Sequence, residues 1–165
     1  MKKAGEKIKT LDELIEIINS LKSEGKKVVF TNGCFDIIHT GHIYLLEQAK
    51  SFGDKLIVAL NTDDSVKKIK GPSRPAVPEN DRALIIASLM YTDYVTFFRE
   101  TEPSRIISLL KPDIHVKGAD YKPDDFNNMP EARVIKEYGG EIRIVSIMEG
   151  YSTTNLINKV SNPNK

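Results

Sequence analysis

Read only as apolar and polar positions, the chain alternates between two periods. Leu11, Leu14, Ile15, Ile18 and Leu21 recur three and four apart, which lines up one face of a helix. Thr10 and Glu13 form a capping pair at its start, and Gly25 marks its end. The period then changes. Short runs rich in β-branched or aromatic residues, KVVFT (27–31), LIVALN (56–61), YVTFF (94–98), IHV (114–116) and IRIV (142–145), predict five strands. Helical spacing returns over 41–52, 80–90, 104–110, 131–138 and 153–160. Apolar strands joined by helical crossovers predict an α/β fold: a doubly wound, five-stranded parallel sheet with helices on both faces. The expected division is an N-terminal helical extension, 1–26, followed by one domain, 27–165.

Two connections are long: KKIKGPSRPAVPEN (67–80) and GADYKPDDFNNMP (118–130). Ligands of open α/β sheets bind beyond the carboxyl ends of the strands, and long loops in such domains are more often functional than accidental. Five polar clusters follow the five strands, at Asn32–Asp36, Asn61–Ser65, Arg99–Glu102, Lys117–Tyr121 and Gly150–Thr154. All five are expected along one edge of the sheet.

Composition narrows the function classes. With 24 basic and 23 acidic side chains the formal charge is +1, so no global field draws in a nucleic acid or an anionic membrane, and any anion site is local. No run approaches the ~20 apolar residues of a membrane span, and no signal-type segment opens the chain. A cytoplasmic location is expected. The single cysteine, Cys34, excludes an intrachain disulfide and any multi-cysteine metal site. It reads as a small packing residue in its loop.

The candidate chemistry gathers in TNGCFDIIHTGH, residues 31–42. His39 and His42 could be metal ligands, but zinc needs three or four, and only His115 and Cys34 remain, at no familiar spacing. No protein-held metal is expected. With Thr40 as N-cap, His42 falls in the first turn of a helix, where anions are favoured over imidazolium. A phosphate chain suits that place: free backbone N–H groups attract it, Gly33 and Gly41 allow close approach, and both imidazoles donate hydrogen bonds. Phe35 reads as core. Asp36 either orders the loop or holds a magnesium ion.

These residues carry a resemblance. GCFDIIHTGH is similar to the G-x-F-D-x-x-H-x-G-H signature of the cytidylyltransferase-like nucleotidyltransferases, at six fixed positions. There is no G-x-x-x-x-G-K-[ST] and no G-x-G-x-x-G. GDKLIVALNTDDSVKKIKGPSRPAVPENDR, VKGADYKP and EGYSTTNLINKV further resemble the adenylyltransferase domain of bacterial ADP-heptose synthases, from about residue 10 to 160. The resemblance implies a Rossmann-like sheet, a homodimer and a separate heptose kinase. The implied reaction joins ATP, with Mg²⁺ as its counter-ion, to D-glycero-β-D-manno-heptose 1-phosphate, giving ADP-heptose and pyrophosphate. Glycerol 3-phosphate with CTP, a flavin precursor with ATP, and a non-catalytic nucleotide-binding module are the alternatives. Against the glycerol-3-phosphate relatives, IMEGYSTT has no arginine where their R-T-E-G-I-S-T pattern has one, and MYTDYV stands in place of R-Y-V-D.

Roles follow residue by residue. In-line transfer needs positioning and charge stabilisation, not a covalent nucleophile. His39, His42 and Lys68 are the catalytic candidates. Asn32, Gly33, Cys34, Phe35, Gly41, Lys117, Gly118, Asp120, Tyr121, Ser152, Thr153 and Thr154 are candidates for nucleotide binding, the last three as a second phosphate cradle at a helix start. Asp36, Asn61, Asp63, Lys70 and Arg74 are candidates for the sugar phosphate. For the lysines, placed on the long loop after the second strand, a solvated surface is the plain alternative. For Asn61, Asp63 and Asp120 it is a turn. Arg82 lies in a helix matching the relatives, with a structural role as its other reading.

Overall fold

The computed structural model describes residues 3–118 and 129–146. Five strands, β1 (Val28–Gly33), β2 (Lys55–Asn61), β3 (Tyr94–Phe98), β4 (Ile114–Gly118) and β5 (Glu141–Val145), form one sheet in the order β3-β2-β1-β4-β5. Every pairing is parallel. The strand order reverses between β1 and β4, and a crevice for ligands opens at such a switch point.

Strand alternation splits the core into two layers. Val29, Leu56, Val58, Leu60, Val95 and Val116 face one side, where they meet α3 (Thr40–Ser51) and α5 (Glu79–Ser88) through Leu46, Ala49, Ala83 and Ile86. Val28, Phe30, Ile57, Ala59 and Phe98 face the other, against α2 (Leu11–Ser23), α6 (Ser104–Leu110) and α7 (Pro130–Glu137). The opening amphipathic helix belongs to this second layer, since Leu14, Ile18 and Leu21 are buried there. Its cap is as expected: Thr10 Oγ1 accepts from the Glu13 N–H, and the Glu13 carboxylate accepts from the Thr10 N–H.

The structure departs from the expected elements in two places. A helix, α4 (Asp63–Lys70), occupies what was expected to be a polar cluster and part of a long loop, so the irregular stretch shrinks to 71–78. Asp63 and Asp64 sit in its first turn and Lys67, Lys68 and Lys70 in its last, the charge order that complements a helix dipole. A short helix, α1 (Ala4–Lys7), precedes α2. It leads into a bridge in which Ile8 pairs in parallel with Val95 and the Lys9 N–H donates to Val95 O at 2.8 Å. The Lys7 ammonium donates to Thr92 O at 2.8 Å and Leu89 O at 3.3 Å. The expected helix over 153–160 lies outside the described residues.

Candidate active site

The chain leaves β1 at Gly33 and turns into α3 within six residues. Phe35 makes that turn with a left-handed φ of 45°, a conformation that costs a non-glycine residue about 1–3 kcal/mol. Its buried ring packs against His42, centroids 5.1 Å apart. A Cβ on Gly33 would lie 3.1 Å from that ring, so this glycine makes room for Phe35. Gly118 is similar, with the Leu45 side chain 3.1 Å from where its Cβ would be.

His39, not Thr40, is the N-cap of α3: its backbone is extended (φ −140°, ψ 170°), and Thr40 is the first helical residue. Gly41 follows within the first turn. The His39 N–H donates to His42 Nδ1 at 3.4 Å, and the two rings stack with centroids 3.8 Å apart. With its Nδ1 lone pair engaged, His42 carries its proton on Nε2 and offers a donor there. Burial, and secondarily the neighbouring His39, pushes His42 down to about 4; burial also lowers His39. Both imidazoles are therefore neutral near pH 7. They stand at a helix start whose N–H groups favour an anion.

The residues below this start hold one another. Asp36 is buried, and its oxygens accept from Arg74 Nε at 2.6 Å, from the Ala76 N–H at 2.8 Å and from the Val77 N–H at 3.0 Å. It orders the 71–78 loop. With both oxygens engaged, this set of partners does not fit a magnesium ligand, and the buried carboxylate holds Arg74 against the loop after β1. Asn61 is likewise enclosed, its amide donating to Ser65 Oγ at 2.9 Å and Glu100 O at 3.3 Å. The Cys34 thiol lies 3.8 Å from Asn61 Oδ1 and is held protonated by burial. Asn61 thus ties the end of β2 to the loop after β1, to α4 and to the loop after β3.

Arg82 is the tie that the sequence left undecided. Fully buried on α5, it donates from Nε to Val77 O (2.9 Å), from Nη1 to Cys34 O (2.5 Å), and from Nη2 to Asn61 O (2.9 Å) and Asp63 Oδ1 (2.7 Å). Asp63 is the first residue of α4, so one guanidinium joins the loop after β1, the end of β2 and the start of α4. The signal in the sequence was its place beside Ala83, Ile86 and Ala87, on the face that α5 buries.

On the β4 side, Asn32 Oδ1 lies 3.0 Å from Nε2 of the buried His115. The Lys117 ammonium pairs with Glu131, a buried carboxylate at the start of α7 that sequence reasoning missed. Lys68 and Lys70 are exposed in the last turn of α4, not on a loop. Asp120, Tyr121, Ser152, Thr153 and Thr154 lie outside the described residues. Among the described residues no three His, Cys, Asp or Glu side chains gather as a metal site.

The family profile of cytidylyltransferase-like proteins matches residues 30–159, from within β1 through β5, and takes in His39 and His42. The chain belongs to the cytidylyltransferase-like family. With the family comes a class of chemistry, nucleotidyl transfer. Relatives named bifunctional protein HldE match along most of the chain. The one from Geobacter metallireducens is 48% identical over 93% of this chain, and the one from Aliarcobacter butzleri is 46% identical over 96%. The chain spans 31% and 32% of their respective lengths. Among solved structures, a lipopolysaccharide core biosynthesis protein from Thermoplasma volcanium matches with a TM-score of 0.61 and 32% identity, over 78% of this chain and all of its own. A pantoate-beta-alanine ligase from Francisella tularensis, at 17% identity and a TM-score of 0.62 over 95% of this chain and 76% of its own, shares the fold.

Proposed function

We propose that this chain transfers AMP from ATP to D-glycero-β-D-manno-heptose 1-phosphate, releasing pyrophosphate and ADP-heptose. The observation that carries the transfer chemistry is the pair of stacked, neutral imidazoles at the start of α3. The heptose acceptor is supported by VKGADYKP and EGYSTTNLINKV, and by likeness to proteins named HldE and to one named for lipopolysaccharide core biosynthesis.

The reaction forms a bond from a phosphate oxygen of the sugar to the α-phosphorus of ATP and breaks the bond to the β-bridging oxygen. That oxygen leaves with the electron pair as part of pyrophosphate. His42 Nε2–H and the imidazole of His39 donate to the triphosphate and stabilise charge building on the bridging oxygen, with the N–H groups of α3 behind them. Neutral donors suit this task, because no proton has to leave them during transfer. MgATP enters as substrate, its metal held by the phosphates. Lys68 and Lys70 are mobile point charges for the incoming sugar phosphate. Gly41 and Lys117, with the segments carrying Asp120, Tyr121 and the Ser152–Thr154 hydroxyls, complete the nucleotide site.

The protein works in the cytoplasm as a homodimer, alongside a separate heptose kinase. A panel of ATP, CTP and GTP against heptose 1-phosphate, glycerol 3-phosphate and flavin mononucleotide, scored for pyrophosphate, tests the reading. Turnover is expected with ATP and the heptose phosphate. Activity on another acceptor with none on heptose phosphates would overturn the substrate, and nucleotide binding without any turnover would overturn the enzyme.

A further inference from the structure

His115 belongs to none of the roles above, yet it is a polar side chain with no solvent exposure, the second residue of β4, next to β1. Its ring tilts against Phe30, with centroids 5.5 Å apart. Nδ1 is buried without a hydrogen-bond partner, and Nε2 lies 3.0 Å from Asn32 Oδ1. A buried N–H without an acceptor is rarer and costlier than a bare acceptor, so the proton belongs on Nε2 and Asn32 accepts it. Burial and the nearby Lys117 charge keep the ring neutral.

Asn32 is the half-buried residue that precedes Gly33 at the carboxyl end of β1, where the strand order reverses. An amide side chain can flip its oxygen and nitrogen at little cost unless a neighbour distinguishes them. Here the neighbour does.

We propose that His115 is a positioning residue: its Nε2–H fixes the Asn32 amide in one orientation, so that the Asn32 NH₂ is a fixed donor for a nucleoside triphosphate at the switch point. The inference rests on the reading of this strand end as the nucleotide site. It assigns a deep strand residue to ligand binding through a half-buried one, and it explains a buried imidazole that packing alone does not require.

The test measures the Kd of a non-hydrolysable ATP analogue calorimetrically in the full chain, with Tm recorded beside it. His115→Leu keeps the volume and loses the donor, and Kd is expected to rise about fivefold. His115→Gln, which restores an N–H donor, brings it back towards wild type. In an Asn32→Ala background His115→Leu adds nothing further. An equal rise in both backgrounds would mean that His115 acts through general structure, and an unchanged Kd in a folded His115→Leu protein would overturn the proposal outright.

Should His115→Leu fail to fold, Asn32→Asp is the second variant. It keeps the acceptor for His115 and puts a carboxylate oxygen where the NH₂ stood, so ATP-analogue binding is expected to weaken about tenfold or more with little change in Tm. Unchanged binding would overturn the proposal. His42→Ala separates the two readings: if it weakens binding while the His115 and Asn32 variants do not, the site stands and the positioning role falls. If none of them changes binding, both fall.

Discussion

Replacing Arg82 by Met removes the guanidinium but keeps much of the unbranched apolar stem, so the loss falls on its hydrogen bonds. Three backbone carbonyls, of Val77, Cys34 and Asn61, and the Asp63 carboxylate lose a donor at once. Each buried acceptor left unmade costs about 1–3 kcal/mol, and breaking a buried ion pair from one side costs about 3–5 kcal/mol. These terms are not additive, and Asp63 retains partial access to water. The expected net loss is therefore about 3–5 kcal/mol, large against the ~5–15 kcal/mol that holds a domain together. For a chain of this size that lowers Tm by roughly 6–20 °C. Urea denaturation followed by circular dichroism, with a thermal melt on the same samples, measures it. Arg82→Lys should fall between, because one ammonium cannot span acceptors on three separate segments. A loss under about 1 kcal/mol for Arg82→Met would refute the staple, since the four bonds would then be idle.

His42→Ala is expected to lower kcat about 10²–10³-fold, the usual loss for one preorganised donor, with a much smaller effect on the urea midpoint; equal turnover would remove His42 from the chemistry. Asp36→Ala strands Arg74 and the two N–H groups of Ala76 and Val77, and should cost about 3–5 kcal/mol in urea titrations. Its magnesium dependence of turnover should match wild type; a changed dependence would return Asp36 to the metal. His42, lowered to about 4, and His115, lowered to about 3, both bind protons more readily in the unfolded chain, whose ordinary value is 6.5. Their contribution is therefore complete above about pH 6.5 and declines as pH falls towards 4, by up to about 1.4 kcal/mol per pH unit for each histidine. Urea midpoints at pH 7, 6 and 5 follow this, and a flat profile would count against the buried neutral state.

The strands were legible because parallel strands buried on both faces must be apolar throughout, and LIVALN allows little else. The signature at the start of α3 was legible because the constraints on Gly33, His39 and His42 are local. The cap shifted by one residue, since Thr40 and His39 are both polar and only the backbone angles separate them. What the sequence hid was either weakly patterned or non-local. DDSVKKIK has two apolar residues and no stripe, so α4 showed only in its charge order. The partnership of His115 with Asn32 depends on β1 lying beside β4, and the Lys117–Glu131 pair on α7 returning to the end of β4. Asp36 and Asn61 look like ligand groups in a list of residues. Partners as far as 41 positions from Asp36 and 39 from Asn61 are visible only once the loops are folded together.

The bridge between Ile8 and Val95 decides where a fused body would hang. Val95 is near the amino end of β3, and Lys7 reaches carbonyls that precede the strand, so the first residues are pinned to the rear margin of the sheet. The start of α3, with His39 and His42, is at the front, where the strands finish. A tag joined ahead of Lys3 would therefore start from the side of the sheet where the strands begin.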